Sequence, residues 1–154
     1  MILQGLAKYP VTEVILHCAA INGGQFSHMS PFQMFATVNQ WHMERGFSGF
    51  GYHGLITPGG IWYKGRPFEK IGAHCIERNR GSLGFLLIES RKISSLGEFD
   101  DYYTPKQLQT LQGLLSDLYT KGIRKVTGHN DYAPKLCPGF HVDTFDLLRP
   151  SARD

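Results

Sequence analysis

Short apolar segments separated by turns rich in glycine and proline recur along the chain and predict β-strands. They are residues 12–19, 51–57, 61–64, 83–88 and 124–127. The first contains the apolar run Val14–Leu16, and nearly every residue of 83–88 is apolar, which is typical of strands covered on both faces. We therefore expect residues 83–88 at the centre of a sheet. The sequence Pro58-Gly59-Gly60 predicts that the second and third strands form a hairpin.

A first helix is predicted after a polar loop at residues 22–29. Ser30 is a favourable N-cap, Pro31 suits the first helical position, and Gly46 ends the pattern after Arg45. Apolar residues recur at intervals of three within this segment, and we expect them to face the core. They are Phe32, Phe35, Val38 and Trp41.

A second helix begins at the capping box Thr104-Pro105-Lys106-Gln107 and ends near Gly122. Its core-facing residues are expected to be Leu108, Leu111, Leu115 and Leu118. A loop at residues 128–140 and a short helix at residues 141–148 are predicted to follow. Strands that alternate with helices predict an α/β fold in which helices flank a central mixed β-sheet.

The size and composition fit one folded domain over residues 1–154. Of the 154 residues, 42% are hydrophobic and 19% charged, which excludes a disordered, collagen-like or coiled-coil protein. The longest apolar runs are far shorter than the roughly 20 residues of a bilayer crossing, so no membrane insertion is expected. Residues 1–10 lack the apolar segment of a secretory signal, which predicts cytoplasmic synthesis without a signal peptide. A net charge of +3 predicts only weak attraction to anionic polymers, so we expect no nucleic-acid partner. We also expect the protein to be a monomer.

Histidines and cysteines are the candidates for chemistry. The three cysteines are too few, and odd in number, for a disulfide scaffold. His28, His42 and His141 are predicted to be exposed or structural, since they lie in a loop, within a helix and at a helix start. His17 and His129 instead lie at predicted strand ends.

A third candidate, Cys137, follows His129 by eight residues. Two imidazoles and one thiolate suit Zn²⁺, and three protein ligands leave a fourth position open, as in catalytic zinc sites. Spacing alone leaves Cys18 and Cys75 as further candidate ligands. It also leaves open that these histidines are structural.

A series of short motifs occurs in a fixed order between about Val11 and Leu148. They are Leu16-His17-Cys18-Ala19, Gln40-Trp41-His42 through Gly46, Gly51-Tyr52-His53, Gly72-Ala73-His74, Asn79 through Ser82-Leu83-Gly84, Thr104-Pro105, and Gly128-His129 through Ala133-Pro134-Lys135-Leu136-Cys137-Pro138-Gly139-Phe140. In order and spacing, this series resembles the small phage lysozymes of the zinc-dependent N-acetylmuramoyl-L-alanine amidase family. That family is related to the peptidoglycan recognition proteins.

The resemblance implies the fold of these amidases and hydrolysis of the amide between N-acetylmuramic acid and L-alanine of peptidoglycan. It implies one Zn²⁺ per chain, bound by His17, His129 and Cys137. The chemistry agrees with this, because Zn²⁺ polarises an amide carbonyl and lowers the pKa of a water molecule to about 7.

The resemblance also assigns roles to residues that do not bind the metal. Tyr52 and Lys135 match two catalytic residues of the phage enzymes. Lys135 is expected to place an ammonium beside the developing oxyanion, and Tyr52 to donate a hydrogen bond or relay a proton. His74 and Asn79 match substrate-binding positions. In a strand, His53 would lie on the face opposite to Tyr52, so we expect it to support neighbouring site residues or to be structural.

The resemblance leaves several alternatives open. Some relatives are non-catalytic peptidoglycan-binding modules, but those lose a zinc ligand, whereas this chain keeps all three. A cytosolic amidase that recycles muropeptides would have the same features as an endolysin that a holin releases to the cell wall in the periplasm. Some phage lysozymes also inhibit their phage's RNA polymerase, and nothing in the composition indicates that partner.

One segment departs from the resemblance. Residues Glu89-Ser90-Arg91-Lys92 follow the predicted central strand, where relatives usually carry small residues and glycine. Contacts made by that loop in relatives are therefore not transferred to this chain.

Overall fold

The computed structural model describes residues 1–22 and 24–148, apart from the side chain of Phe145. Residues 23 and 149–154, which belong to the predicted loop and the predicted domain, lie outside the described residues. The strands are β1 (Leu3–Gln4), β2 (Tyr9–Pro10), β3 (Glu13–Cys18), β4 (Gly54–Ile56), β5 (Trp62–Lys64), β6 (Ser82–Leu87) and β7 (Lys125–Gly128). The helices are α1 (Pro31–Glu44), α2 (Phe99–Tyr102), α3 (Pro105–Tyr119) and α4 (Thr144–Leu148), and His129–Asp131 form a 3₁₀ turn.

Five strands form one mixed sheet in the order β5-β4-β6-β3-β7. Four of the strands, β4, β6, β3 and β7, run parallel to one another. The fifth, β5, pairs antiparallel with β4. The predicted mixed sheet, the central position of β6 and the β4–β5 hairpin are therefore confirmed. The carboxyl ends of β3 and β7 lie side by side at one edge of the sheet, because these parallel strands are paired.

The β4–β5 hairpin is shorter than predicted. Only three residues of each strand are paired, so Tyr52 lies before β4 rather than within it. The segment that carries Tyr52 pairs with another loop, since the amide of Ala73 donates to the carbonyl of Gly51 at 3.0 Å. A Cβ atom at Gly51 would lie 2.2 Å from the carbonyl oxygen of Ala73, so only glycine permits this approach.

The predicted core stripe of α1 is wrong at Phe32, which is 59% exposed. Residues nine positions apart, such as Phe32 and Trp41, lie on opposite sides of a helix that turns about 100° per residue. The buried positions are spaced by four instead: Met34, Val38 and His42. Phe35 and Trp41 are half-buried beside them.

Helix α3 begins at the predicted capping box. The side chain of Thr104 accepts from the amide of Gln107, and the side chain of Gln107 accepts from the amide of Thr104. Leu111, Leu115 and Leu118 are buried as predicted, but Leu108 is only half-buried. Gln107 takes the buried place, because its amide nitrogen donates to two carbonyl groups at the end of the sheet, at 3.1 and 2.9 Å.

The predicted closing helix is shorter than expected. Helix α4 begins at Thr144 rather than at residue 141, and the hydroxyl of Thr144 donates to the carbonyl of Val126 in β7 at 2.6 Å. Strands β1 and β2 and helix α2 have no predicted counterpart. Each is two to four residues long, which is too short to show a periodic pattern.

Apolar side chains cover both faces of the sheet. Helices α3 and α4 cover one face, and α1 covers the other. Among the described residues, no helix has the length and apolar character that a bilayer crossing requires.

Candidate active site

The three predicted metal ligands converge where β3 and β7 end. His17 lies in β3 and is fully buried, His129 directly follows β7, and Cys137 lies in the loop beyond it. The Nδ1 atoms of His17 and His129 are 3.2 Å apart. One ligand atom from each of the three residues lies within 4.8 Å of the other two. In the described part of the chain, neither Cys18 nor Cys75 belongs to this group.

The protonation states of this group suit a metal. Hydrogen bonding with Cys18 lowers the pKa of the Cys137 thiol well below its ordinary value, and the neighbouring His129 and His17 act in the same direction. Burial lowers the pKa of His17, so its imidazole is neutral. Metal ions bind thiolates and neutral imidazoles, and this mixed set suits Zn²⁺.

A chain of hydrogen bonds fixes the ring of His17. The hydroxyl of Ser82 donates to the carbonyl of Arg78 at 2.6 Å, so its oxygen is left to accept from Nε2 of His74 at 3.2 Å. Nδ1 of His74 then accepts from Nε2 of His17 at 2.9 Å. His17 therefore carries its proton on Nε2 and keeps the lone pair of Nδ1 free toward His129, as a metal ligand requires.

Asn79 and Gly84 hold His74 in this position. The Oδ1 atom of Asn79 accepts from the amides of His74 and Cys75 at 2.8 and 2.9 Å. A Cβ atom at Gly84 would lie 2.5 Å from the ring of His74, so only a glycine at this position of β6 leaves space for the imidazole. Both His74 and Asn79 also line the cleft described below, where their predicted contact with substrate stays a prediction.

Tyr52 lies beside the ligand group. Its ring centroid is 5.0 Å from that of His17. Burial raises the pKa of Tyr52, so the phenol keeps its proton at neutral pH. His42 supports the same segment, because its Nδ1 accepts from the amide of Gly51 at 2.8 Å, and its ring centroid is 5.2 Å from that of Tyr52.

The other histidines have the structural or exposed positions that were predicted. His53 is buried, with Nε2 donating to the carbonyl of Lys70 at 2.8 Å and Nδ1 accepting from the amide of Gly84 at 3.0 Å. His28 and His141 are exposed.

A cleft of about 560 Å³ opens above the ligand group. Lys135 is exposed at its wall, in the same loop as Cys137. The lining residues are Cys18, Ala19, Ala20, His42, Arg45, Phe47, Tyr52, Ala73, His74, Cys75, Ile76, Asn79, His129, Lys135 and Cys137. The cleft thus brings together two of the three predicted metal ligands, the neutral phenol of Tyr52 and the side chain of Lys135.

Comparison with known proteins identifies the family of this chain. A family model described as N-acetylmuramoyl-L-alanine amidase matches residues 7–140. The chain belongs to this amidase family. The amidase is 34% identical to the endolysin of Enterobacteria phage T3 over 130 residues, which cover 84% of this chain and 81% of the phage protein.

Two solved structures share the fold of the amidase. N-acetylmuramoyl-L-alanine amidase LysC from Clostridium intestinale is 26% identical, with a TM-score of 0.70 and coverage of 94% of this chain and 87% of LysC. A mutant of Drosophila PGRP-LB, in complex with tracheal cytotoxin, is 25% identical, with a TM-score of 0.70 and coverage of 90% and 79%.

Sequence reasoning gave no role to two buried residues that form hydrogen bonds beside this site. Ser82 sets the proton position on His74, but a serine at a strand start carries no distinctive signal. Glu89 was noted only as a departure from relatives, although it is 2% exposed and binds the loop after His17. A carboxylate directly after an apolar strand is the signal that indicates a buried anion with specific partners.

Proposed function

We propose that this amidase is an endolysin that cleaves the bond between the lactyl group of N-acetylmuramic acid and L-alanine in peptidoglycan. It would use one Zn²⁺ per chain, bound by His17, His129 and Cys137. The observation that carries the proposal is the compact ligand group at the floor of the cleft, with the lone pair of His17 Nδ1 directed by hydrogen bonds. The similarity to phage endolysins supports the biological role.

The residues around the ligand group have separate roles in this proposal. When bound, Zn²⁺ polarises the carbonyl of the scissile amide and activates water. The Lys135 ammonium stabilises the negative charge that develops on the carbonyl oxygen. The Tyr52 phenol acts as a hydrogen-bond donor to the reacting groups, because its raised pKa keeps it protonated. His74 keeps the proton of His17 on Nε2 and so maintains the lone pair on Nδ1.

We infer that the substrate in the cleft is a muropeptide unit of the cell wall. A cleft of about 560 Å³ lies within the range of small-molecule sites. PGRP-LB, which has the same fold, is in complex with tracheal cytotoxin, and this supports a related ligand here.

The bond is tested by digesting purified sacculi and analysing the products. We expect new amino-terminal L-alanine, no new reducing sugar ends, and loss of activity after treatment with a chelator. A glycosidase would require two carboxylates about 5 to 10 Å apart at the sugar linkage. New reducing ends without new amino termini would contradict the proposed bond, and full activity after removal of zinc would contradict the proposed metal.

A second digestion separates an endolysin from a recycling enzyme. Intact sacculi and soluble anhydro-muropeptides are offered separately at matched concentrations of the amide. An endolysin is expected to cleave the sacculi, whereas selective cleavage of the soluble fragments would contradict the endolysin role but retain the amidase reaction.

A further inference from the structure

Four consecutive backbone amides follow His17, and each donates to an anionic or sulfur acceptor. The amide of Cys18 donates to Sγ of Cys137 at 3.1 Å. The amides of Ala19, Ala20 and Ile21 donate to the carboxylate of Glu89 at 2.9, 2.8 and 3.2 Å. One turn of the backbone therefore binds the predicted sulfur ligand at its start and a carboxylate along the rest of its length.

This turn depends on its partners. Ala20 has φ +60°, in the left-handed region that residues other than glycine rarely adopt. A backbone in that region persists only where surrounding contacts determine it. The three hydrogen bonds to Glu89 are the contacts that hold Ala20 and its neighbours.

Glu89 is itself held by the fold. It is 2% exposed and lies two residues after the end of β6, and the amide of the intervening Ile88 donates to the carbonyl of Ile56 at 3.1 Å. No lysine or arginine forms an ion pair with Glu89 within residues 1–22 and 24–148. A buried carboxylate is costly unless hydrogen bonds satisfy it, and here backbone amides supply all of them.

We propose that Glu89 is a positioning residue of the metal site, which acts by fixing residues 18–21 so that the Cys18 amide points at the sulfur of Cys137. This inference rests on the proposed function, because it assigns the sulfur to a bound metal. An amide that donates to a thiolate restricts the position of the sulfur and stabilises its charge. Without Glu89 the turn loses three hydrogen bonds, and the Cys18 amide is no longer directed.

The charge of Glu89 contributes to the same role. The ligand group has one negative charge, on Cys137, and Glu89 adds a second buried negative charge behind the turn. Burial raises the pKa of Glu89, and the hydrogen bonds from the amides of Ala19, Ile21 and Ala20 oppose that shift and favour the charged carboxylate. A divalent cation at the ligand group is therefore attracted by two anions rather than one.

The test is a titration of the metal-free protein with Co²⁺, followed by the absorption band that arises from charge transfer between thiolate sulfur and cobalt. Glu89→Gln keeps the shape of the side chain but removes its charge and one acceptor. We expect it to weaken Co²⁺ binding about tenfold or more and to change the intensity of the band. Glu89→Asp keeps the charge and is expected to recover part of the affinity.

Glu13→Gln is the matched control. Glu13 is also a buried carboxylate, 8% exposed, but its partners are the hydroxyls of Thr127 and Tyr132 rather than the turn. The Glu13→Gln variant is expected to bind Co²⁺ with an affinity within about twofold of wild type, even if its melting temperature changes.

Each other outcome overturns the inference. Equal affinity and an equal spectrum for Glu89→Gln and wild type mean that Glu89 supports the fold only. An equal loss in Glu13→Gln means general loosening rather than positioning. If Glu89→Gln does not fold, Glu89→Asp takes its place in the test, because the shorter aspartate carboxylate does not reach all three amides. A wild-type affinity and spectrum in Glu89→Asp would then contradict the inference. If wild type binds no Co²⁺, the metal site of the proposed function fails together with this inference.

Discussion

The two faces of the sheet have opposite chemistry, although the same strands form both. Toward α3 and α4, strand β3 presents Val14 and Leu16, which pack in a large apolar cluster. Toward α1 and the loops, the alternating positions of the same strand are Glu13, Ile15 and His17. The same strand therefore supplies core residues on one face and a predicted metal ligand on the other, because its side chains alternate between the two faces.

Buried polar groups serve different ends on the two faces. On the α3 side, Gln107 joins two strand ends through their carbonyls, and its hydrogen bonds stay within the fold. On the other side, the chain of His17, His74 and Ser82 runs beside the cleft, and His74 is part of the cleft lining. We therefore expect Gln107 to affect folding alone, and His74 and Ser82 to affect the reaction as well. The predictions below test this separation.

The largest expected effect is that of Cys137→Ser. Removing the thiolate takes away the only anionic ligand, so we expect loss of stoichiometric zinc and of measurable activity. Elemental analysis of the purified protein and release of L-alanine amino termini from sacculi measure the two losses. Cys75→Ser is the control for zinc content, because Cys75 is a buried thiol that lines the cleft but lies outside the ligand group. Zinc content equal to wild type in Cys137→Ser would show that the ligand set is wrong.

Lys135→Ala and Tyr52→Phe are expected to lower kcat by about 10²- to 10³-fold each while zinc is retained, because each removes a donor that acts in the transition state. Turnover on sacculi and zinc content are measured on the same samples. Lys92→Ala, a change at another exposed lysine outside the cleft, serves as control. Near-wild-type rates in both variants would leave these residues without a catalytic role.

Leu111→Ala tests the opposite face. Leu111 is fully buried in α3, so we expect a loss of about 2–5 kcal/mol in the free energy of unfolding. Zinc content and kcat below the melting temperature should stay unchanged. Urea unfolding measures the loss, and Leu114→Ala, at a half-buried position of the same helix, should cost less. A fall in kcat of the folded protein would show that the two faces are coupled.

Local patterns predicted the elements that are long enough to show a period. The capping box placed the start of α3 at Pro105, and apolar runs placed β3 and β6. The same reasoning failed at Phe32, where an interval of three was taken for one helix face although the α-helix repeats every 3.6 residues. Strands of two residues, such as β1, have no period to detect.

The site was less accessible to sequence reasoning. His17 and His129 are 112 positions apart, and only the pairing of β3 with β7 brings them together. Residue types and spacing left the zinc site open, and resemblance to a family supplied the ligand set. The order of hydrogen bonds from His17 to Ser82 depends on which atoms meet, so no spacing along the chain predicts it.

His74→Phe is expected to weaken zinc binding by about 10- to 100-fold, because Nε2 of His17 loses its acceptor and the lone pair on Nδ1 is no longer maintained. Competition with a chelating dye measures the affinity. Ser82→Ala removes the next group in the chain and should have a smaller effect in the same direction. If His74→Phe raises KM while zinc affinity stays at the wild-type value, His74 acts on substrate rather than on His17.

The smallest effect expected is a dependence of stability on pH through His53, whose pKa is lowered by burial to about 4. The unfolded chain, with a histidine pKa near 6.5, takes up the proton first as pH falls. The contribution of the neutral imidazole to the free energy of unfolding is therefore fully present above about pH 6.5. It decreases as pH falls toward 4, by up to about 1.4 kcal/mol per pH unit. Protonation of Nδ1 also removes the acceptor of the Gly84 amide. Urea unfolding between pH 7 and pH 5 should give a shallower dependence for His53→Gln than for wild type, and His28→Gln, at an exposed position, should follow wild type. An equal dependence of stability on pH in His53→Gln and wild type would mean that another group causes the loss of stability. His42, whose pKa burial also lowers to about 4, would then be the next residue to replace.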